Sequence, residues 1–283
     1  MATEFKNTHI YAEELAAAKV ALMAALKWLE GLSSPPQIKM KKDALGRSEV
    51  VTDVDVALNR IILGEISRAF PDDVVLGEEL SSAPSKTVSD TRFWLVDPLD
   101  GTRSFGEGRA GFAIMLALVV DGIPSLGLVH DVAVCETVIA VRGHGVFVET
   151  QKGSKKIAGP KACRNRLAFN PYASKRLRAY LFKELGFEKS VDVESTGLRA
   201  VQMIKGNARM LVSLPNSAKA WDTAPAKVML TESGATYTDL DGGPLIYYRE
   251  SPLHPRGAVA TIGMNHEKAL ACVRSVLATG VHS

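Results

Sequence analysis

Apolar positions recur along the chain in two rhythms. Leu15, Val20, Leu22, Met23, Leu26 and Leu29 are spaced as on one face of a helix, and Gly31 with Pro35 and Pro36 ends the run, predicting a first helix over 10–32. A polar segment, 39–49, leads into a second helical run through Val56, Leu58, Ile62 and Ile66, closed by Pro71. Asp53 and Asp55 fall in its first turn, where the helix dipole favours carboxylates and a capping role competes with any chemical one. After Pro71 the rhythm shortens, predicting strands over 73–76, 92–96, 112–120, 125–130, 137–141 and 146–149. Helical spacing returns over 174–185, 197–205, 221–233 and 267–277, with strands over 191–194, 210–214 and 258–262 between. The pattern is that of an α/β protein. The polar stretch 151–161 divides an N-terminal α+β half, 1–150, from a C-terminal α/β half, 151–283.

The chain of 283 residues is 46% apolar, 23% charged and 6% aromatic, which excludes disordered, collagen-like and disulfide-framework classes. Its longest apolar run, 112–120, is far shorter than the ~20 residues that cross a bilayer. Glu4, Lys6, Asn7 and His9 stand where a secretory signal needs an apolar core, so the expected location is the cytoplasm. Cys135, Cys163 and Cys272 form neither a disulfide framework nor a zinc pattern, and Cys135 reads as core. A net charge of +3 gives no strong nucleic-acid signal. The basic groups Lys39/Lys41/Lys42, Lys152/Lys155/Lys156 and Lys175/Arg176/Arg178 read as solvated faces.

One segment carries chemistry. An apolar strand from Arg92 ends in Asp97-Pro98-Leu99-Asp100-Gly101-Thr102, where a turn can aim both carboxylates at one point with the Leu99 carbonyl between them. Such oxygen donors suit Mg²⁺, and the Gly101 and Thr102 amides can cradle a phosphate oxygen. Alone, the string is more often a tight turn. Its company is Leu76-Gly77-Glu78-Glu79 upstream and Ala220-Trp221-Asp222-Thr223-Ala224-Pro225 downstream. Their bland readings are a solvated loop and an N-cap at Asp222 with Pro225 in the first helical turn.

In order and spacing these strings, with Val51-Thr52-Asp53-Val54-Asp55, Gly127-Leu128-Val129 and Gly143-His144-Gly145, resemble the inositol monophosphatase family of Mg²⁺-dependent, lithium-inhibited phosphatases. The resemblance implies a layered α/β/α/β/α sandwich, two or three Mg²⁺ ions, a homodimer and a small phosphorylated substrate. It places metal ligands on Glu78, Asp97, the Leu99 carbonyl, Asp100 and Asp222. Thr102 falls on the catalytic threonine, with Asp55 supporting a further water. Glu78 and the Thr102/Asp55 pair would orient and deprotonate the attacking water.

Competing motifs fail on spacing. Asp97 and Asp100 have two residues between them where a haloacid-dehalogenase phosphatase needs one, and Cys135 and Arg142 have six between them where a cysteine phosphatase needs five. Gly106-Glu-Gly108-Arg-Ala-Gly111 does not open a predicted helix, and the six histidines show no ligand spacing. The substrate stays open. The stretch 211–220 lacks the acidic residue that holds inositol hydroxyls in that branch. Asp239-Leu-Asp-Gly-Gly-Pro-Leu245, Tyr247 and His254-Pro255 look more like the bisphosphate nucleotidase branch, although Arg103 replaces its usual lysine. Histidinol phosphate is a third candidate, and a non-enzymatic regulatory binding protein is the alternative of a different class.

Overall fold

Alternation inside the strands decides how the layers stack in the computed structural model, which describes residues 10–33, 36–42, 46–79, 92–247 and 253–279. Residues 1–9, on which the leader argument rests, and Pro35 and His282 lie outside the described residues. Helix α1 (Ala12–Glu30) is followed by β1 (Ile38–Lys42), β2 (Ser48–Thr52) and α2 (Asp53–Ala69). Next come β3 (Val74–Gly77), β4 (Arg92–Asp100), the short α3 (Thr102–Gly106), β5 (Ala113–Val120), β6 (Ile123–Asp131), β7 (Glu136–Val141), β8 (Gly145–Thr150) and β9 (Gly153–Ile157). The strands β3 to β9 form one sheet in sequence order. The rest of the chain is β10 (Arg166–Phe169), α4 (Lys175–Leu185), β11 (Lys189–Asp192), α5 (Thr196–Ile204), β12 (Met210–Ser213), α6 (Ala220–Glu232), β13 (Thr236–Thr238), β14 (Ala258–Thr261) and α7 (His266–Ala278). Its sheet has the order β11-β10-β12-β14-β13.

Successive strand side chains face opposite sides of a sheet. Trp94, Val96, Ile114, Leu116, Leu118 and Leu128 face one way, onto Leu15, Leu22, Leu58 and Ile62 of α1 and α2. Phe93, Leu95, Met115, Val119 and Val129 face the other way, onto Leu198 and Val201 of α5 and Trp221, Ala224 and Val228 of α6. Leu211, Tyr237, Ala258 and Ala260 of the second sheet close over those two helices. The outer face of that sheet, Leu167, Phe169, Met210, Val212 and Val259, carries α4 and α7. The stack is the expected α/β/α/β/α sandwich. Helices α5 and α6 are buried on nearly every side because each is covered on both faces.

The middle layer sits close to the first sheet. A Cβ added at Gly127 would stand 2.8 Å from the Pro225 carbonyl oxygen, and one at Gly197 2.2 Å from Met115 Sδ. That approach brings the start of α6 to the end of β4.

Four local readings need correction. The segment 39–49 is not merely a polar lead-in: it is most of an antiparallel hairpin running from the Ile38–Thr52 pair to the Lys42–Ser48 pair. Strand β1 is mostly exposed, so it carries no apolar alternation to read. Strand β9 lies inside 151–161 and pairs with β8, its lysines marking a solvated sheet edge. The strand expected over 191–194 pairs instead at Lys189–Asp192. Cys135 is not core: it is exposed in the turn between β6 and β7 at φ 51°, because the apolar run is cut there by the turn. Among the described residues no helix is long and apolar enough to cross a membrane.

Gly127→Ala is expected to lower stability by about 1–3 kcal/mol, because neither the strand nor the helix backbone can yield easily at that contact. Urea denaturation of the purified variant measures it, and an unchanged midpoint would show that the layers have slack.

Candidate active site

The two aspartates of the central motif meet through a bulge rather than a turn. Strand β4 continues to Asp100, with Asp97 opposite Met115 and Asp100 opposite Ala113, so three steps on β4 match two on β5. Residues three apart on a regular strand face opposite sides; one extra residue restores the parity and puts both carboxylates on the face towards α5 and α6. Pro98, with no N–H to give the ladder, lies inside this irregularity. Leu99 turns to the α1/α2 side and is buried there. Gly101 follows at φ 101°, where an added Cβ would stand 2.7 Å from the Gly111 carbonyl oxygen.

Glu78 follows directly on β3, whose parallel pairing with β4 sets Gly77 beside Val96. Asp222 comes from the opposite layer. It is the third residue of α6 rather than its cap, and accepts from the Lys219 N–H at 2.8 Å. Pro225 accordingly lies beyond the first turn of α6. One carboxylate oxygen each of Glu78, Asp97 and Asp222 lie within 4.8 Å of one another. Asp100 accepts from the Ser195 hydroxyl at 2.6 Å and the Gly197 N–H at 3.0 Å.

Asp55 is both cap and site residue, one oxygen for each task. Its Oδ2 accepts from the N–H and hydroxyl of Thr52 in a capping box, while Oδ1 lies 2.8 Å from the Thr102 hydroxyl. The same hydroxyl stands 3.1 Å from the Leu99 carbonyl oxygen. Gly101, Thr102, Leu99, Glu78, Asp97, Asp100 and Asp222 all line one open cavity of about 610 Å³. Asp55 stands behind it, reaching it through Thr102.

Several residues that sequence reasoning passed over belong here. Lys219 Nζ lies 2.8 Å from Glu78 and 2.9 Å from Glu49. Lys41, read as solvated, reaches Glu79 at 2.5 Å and Glu78 at 3.7 Å, because the hairpin folds over the loop after β3. Arg199 is buried and donates to the Val212 carbonyl and the Thr196 hydroxyl. A signal for it was present: a lone arginine in the otherwise apolar run Leu198-Arg199-Ala200-Val201. The Asp239 motif stays outside the cavity, where its Oδ1 closes a turn by accepting from the Asp241 and Gly243 N–H groups. His130, His254 and His266 bond to threonines away from the cavity wall.

Burial, followed by neighbouring Glu78, Asp100 and Asp222, holds Asp97 well above the usual carboxylate range. Burial and then Asp222 push Asp100 up to about 8, and burial and then Glu78 push Asp222 up to about 6. Burial, partly offset by the threonine bonds, also raises Asp55. Burial opposes the Lys219 ammonium, yet Glu78 and Asp222 outweigh it and hold its pKa above the ordinary lysine range. Carboxylates forced together in a poorly solvated place hold protons unless a cation joins them. A donor set made only of hard oxygens, with three carboxylates inside 4.8 Å, fits Mg²⁺ better than a softer metal.

The layered fold and this carboxylate-lined cavity define an enzyme of the phosphoric monoester hydrolase class. The chain belongs to the inositol monophosphatase family, whose sequence profile matches residues 10–278. The 3′(2′),5′-bisphosphate nucleotidase CysQ of Aggregatibacter actinomycetemcomitans is 28% identical over 225 residues, covering 77% of this chain and 81% of that protein. A fructose-1,6-bisphosphatase/inositol-1-monophosphatase of Thermotoga maritima is 26% identical over 234 residues, covering 82% and 85%. A solved IMPase/NADP phosphatase complexed with Mg²⁺ and phosphate shares the fold, with a TM-score of 0.74 at 21% identity over 92% of this chain and 94% of that one.

The raised carboxylates have a measurable sign. Without metal, the native chain keeps the Asp100 proton up to about pH 8, whereas the unfolded chain releases it near 3.8, so stability falls as pH rises through that interval. His130 and His254, pushed down to about 4 by burial, act in the opposite direction below 6.5, which leaves the window above it to the raised carboxylates Asp100 and Asp97. In EDTA the melting temperature is expected to fall from pH 6.5 to about pH 9, and by less in Asp100→Asn. Equal slopes in the two proteins would place the proton elsewhere.

Proposed function

We propose that the chain is a Mg²⁺-dependent phosphomonoesterase that hydrolyses a small phosphorylated metabolite by direct attack of water, with no covalent enzyme intermediate. The observation that carries this is the convergence of Glu78, Asp97 and Asp222 from two layers of the sandwich beside the Thr102–Asp55 pair. Glu78, Asp97, the Leu99 carbonyl, Asp100 and Asp222 would hold two or three Mg²⁺ ions. Bound there, Mg²⁺ supplies positive charge against the phosphoryl oxygens and acidifies water. Thr102 Oγ1 accepts a proton from the attacking water as its own hydrogen passes to Asp55 Oδ1, a carboxylate whose raised affinity for protons suits the task. Glu78 orients the same water, and the Gly101 and Thr102 amides receive a phosphate oxygen.

The two halves, 1–150 and 151–283, work as one unit in this reading, since Asp222 of the second completes the ligands of the first. A cytoplasmic homodimer and inhibition by lithium complete the proposal. Inositol phosphates fit the family, but the wall contributed by 212–219 offers Ser213, Ser217 and Lys219 rather than an acidic group for ring hydroxyls.

A phosphate-release panel with Mg²⁺ and an EDTA control tests the reaction, and full activity in EDTA would sink it. Asp97→Asn and Asp222→Asn are each expected to lower turnover by roughly a thousandfold. Mg²⁺ is expected to stabilise the wild type by about 2.7 kcal/mol at a hundredfold excess over its dissociation constant. Coincident melting curves with and without Mg²⁺ would contradict the ligand assignment.

A further inference from the structure

Carboxylates that gather metal select a phosphoryl group and are indifferent to what carries it, so discrimination between substrates falls to the rest of the cavity wall. Among the described residues three cations stand on that wall, Arg103, Arg199 and Lys219. Lys219 is neutralised by Glu78 and Glu49. Arg199 is buried, with one guanidinium nitrogen on the Val212 carbonyl at 3.1 Å, another on the Thr196 hydroxyl at 2.8 Å, and Asp100 and Asp222 as charged neighbours.

Arg103 differs from both. It directly follows Thr102, is exposed, and pairs with no carboxylate of the described residues. What holds it is the face of Tyr172, another wall residue, with the guanidinium carbon 4.3 Å from the ring centroid. Arg109 lies over the same ring at 5.5 Å, yet it is paired with Glu107 and does not line the cavity. A guanidinium stacked on an aromatic ring keeps its in-plane N–H donors free and has little freedom left to lose on binding. Such a fork matches an oxyanion in a bidentate way.

We propose that Arg103, held on Tyr172, is the specificity-determining contact for a second phosphate group, so that the site takes bisphosphorylated metabolites in preference to those whose remainder is neutral or carries an ammonium. The inference rests on the phosphomonoesterase reading and narrows it. A phosphate remote from the reacting one meets the one wall cation, among the described residues, that is both exposed and unpaired with a carboxylate. A substrate with an ammonium there meets repulsion instead.

The test compares matched pairs in Mg²⁺: adenosine 3′,5′-bisphosphate with adenosine 3′-monophosphate, and fructose 1,6-bisphosphate with fructose 1-phosphate. In at least one pair the wild type is expected to favour the bisphosphate by about 10- to 100-fold in kcat/KM, expressed mainly in KM, as fits one charged hydrogen-bonded contact. Arg103→Gln is expected to abolish that preference and Arg103→Lys to restore part of it. Arg274→Gln, at an exposed position of α7 off the cavity wall, should keep it. Equal kcat/KM within both pairs, or a preference that survives Arg103→Gln, overturns this inference and leaves the phosphatase reading standing. Phosphate release from none of the four compounds, with another phosphomonoester of the Mg²⁺ panel hydrolysed, overturns this inference alone, and release from no compound of that panel overturns both.

Discussion

Like charges that must be held together are the constraint on which this molecule is built. Asp97, Asp100, Asp222 and Glu78 repel one another, and three of the four, Asp97, Asp100 and Asp222, are further penalised by burial above every other cause. No interaction among the carboxylates themselves would assemble them. They are held by what lies behind each: a bulged strand for Asp97 and Asp100, the end of a parallel strand for Glu78, and a helix start for Asp222. Partial compensation comes from outside the group, through the Ser195 hydroxyl and Gly197 N–H on Asp100, the Lys219 N–H on Asp222 and the Lys219 ammonium on Glu78. The packed core therefore stabilises an arrangement that is unfavourable locally, as a cation-binding site requires.

The small residues between the layers matter for the same reason. Gly127 against Pro225 and Gly197 against Met115 set how near α5 and α6 come to the first sheet, and with that how near Asp222 comes to Asp97 and how well Gly197 reaches Asp100. The hairpin β1–β2 is tied to the site differently. Lys41 reaches Glu79 and Glu49 reaches Lys219, so the hairpin touches the loop after β3 and the start of α6 through ion pairs at the cavity edge. Those contacts respond to local charge, whereas the β4–α6 approach is fixed by backbone.

Much of this was legible from the sequence, and the parts that were not have a common cause. Helical periodicity revealed α1 and α2, and continuous apolar runs revealed the central strands, which are buried on both faces. Motif spacing brought Glu78, Asp97, Asp100, Thr102 and Asp222 into one cavity. The means of convergence was not legible: a string with Pro98 and Gly101 reads as a turn, and only the register against β5 reveals a bulge that restores parity. Asp55 likewise looked like a choice between cap and chemistry, yet a carboxylate has two oxygens and each found its own threonine. Lys41, Lys219 and Arg199 were missed because their importance lies in what they face across the fold. A lysine on a polar hairpin and one on a solvated loop look alike in sequence.

Where the constraints fall also explains how one scaffold can serve different substrates. The carboxylates are anchored in strands and helix starts between layers, where a change of residue or of backbone disturbs the packing of both sheets. Arg103, Tyr172 and Ser217 sit on the short α3 and on loops, partly or wholly exposed, where substitution disturbs little behind it. The two curated relatives described above carry names for different phosphorylated substrates at nearly the same identity to this chain, 28% and 26%. Overall similarity therefore ranks the chemistry of the phosphoryl group and not the identity of its carrier. In the reading proposed above, the choice of substrate therefore rests on the side chains of the cavity wall outside the carboxylate cluster, where Arg103 is, among the described residues, the exposed cation with no carboxylate partner.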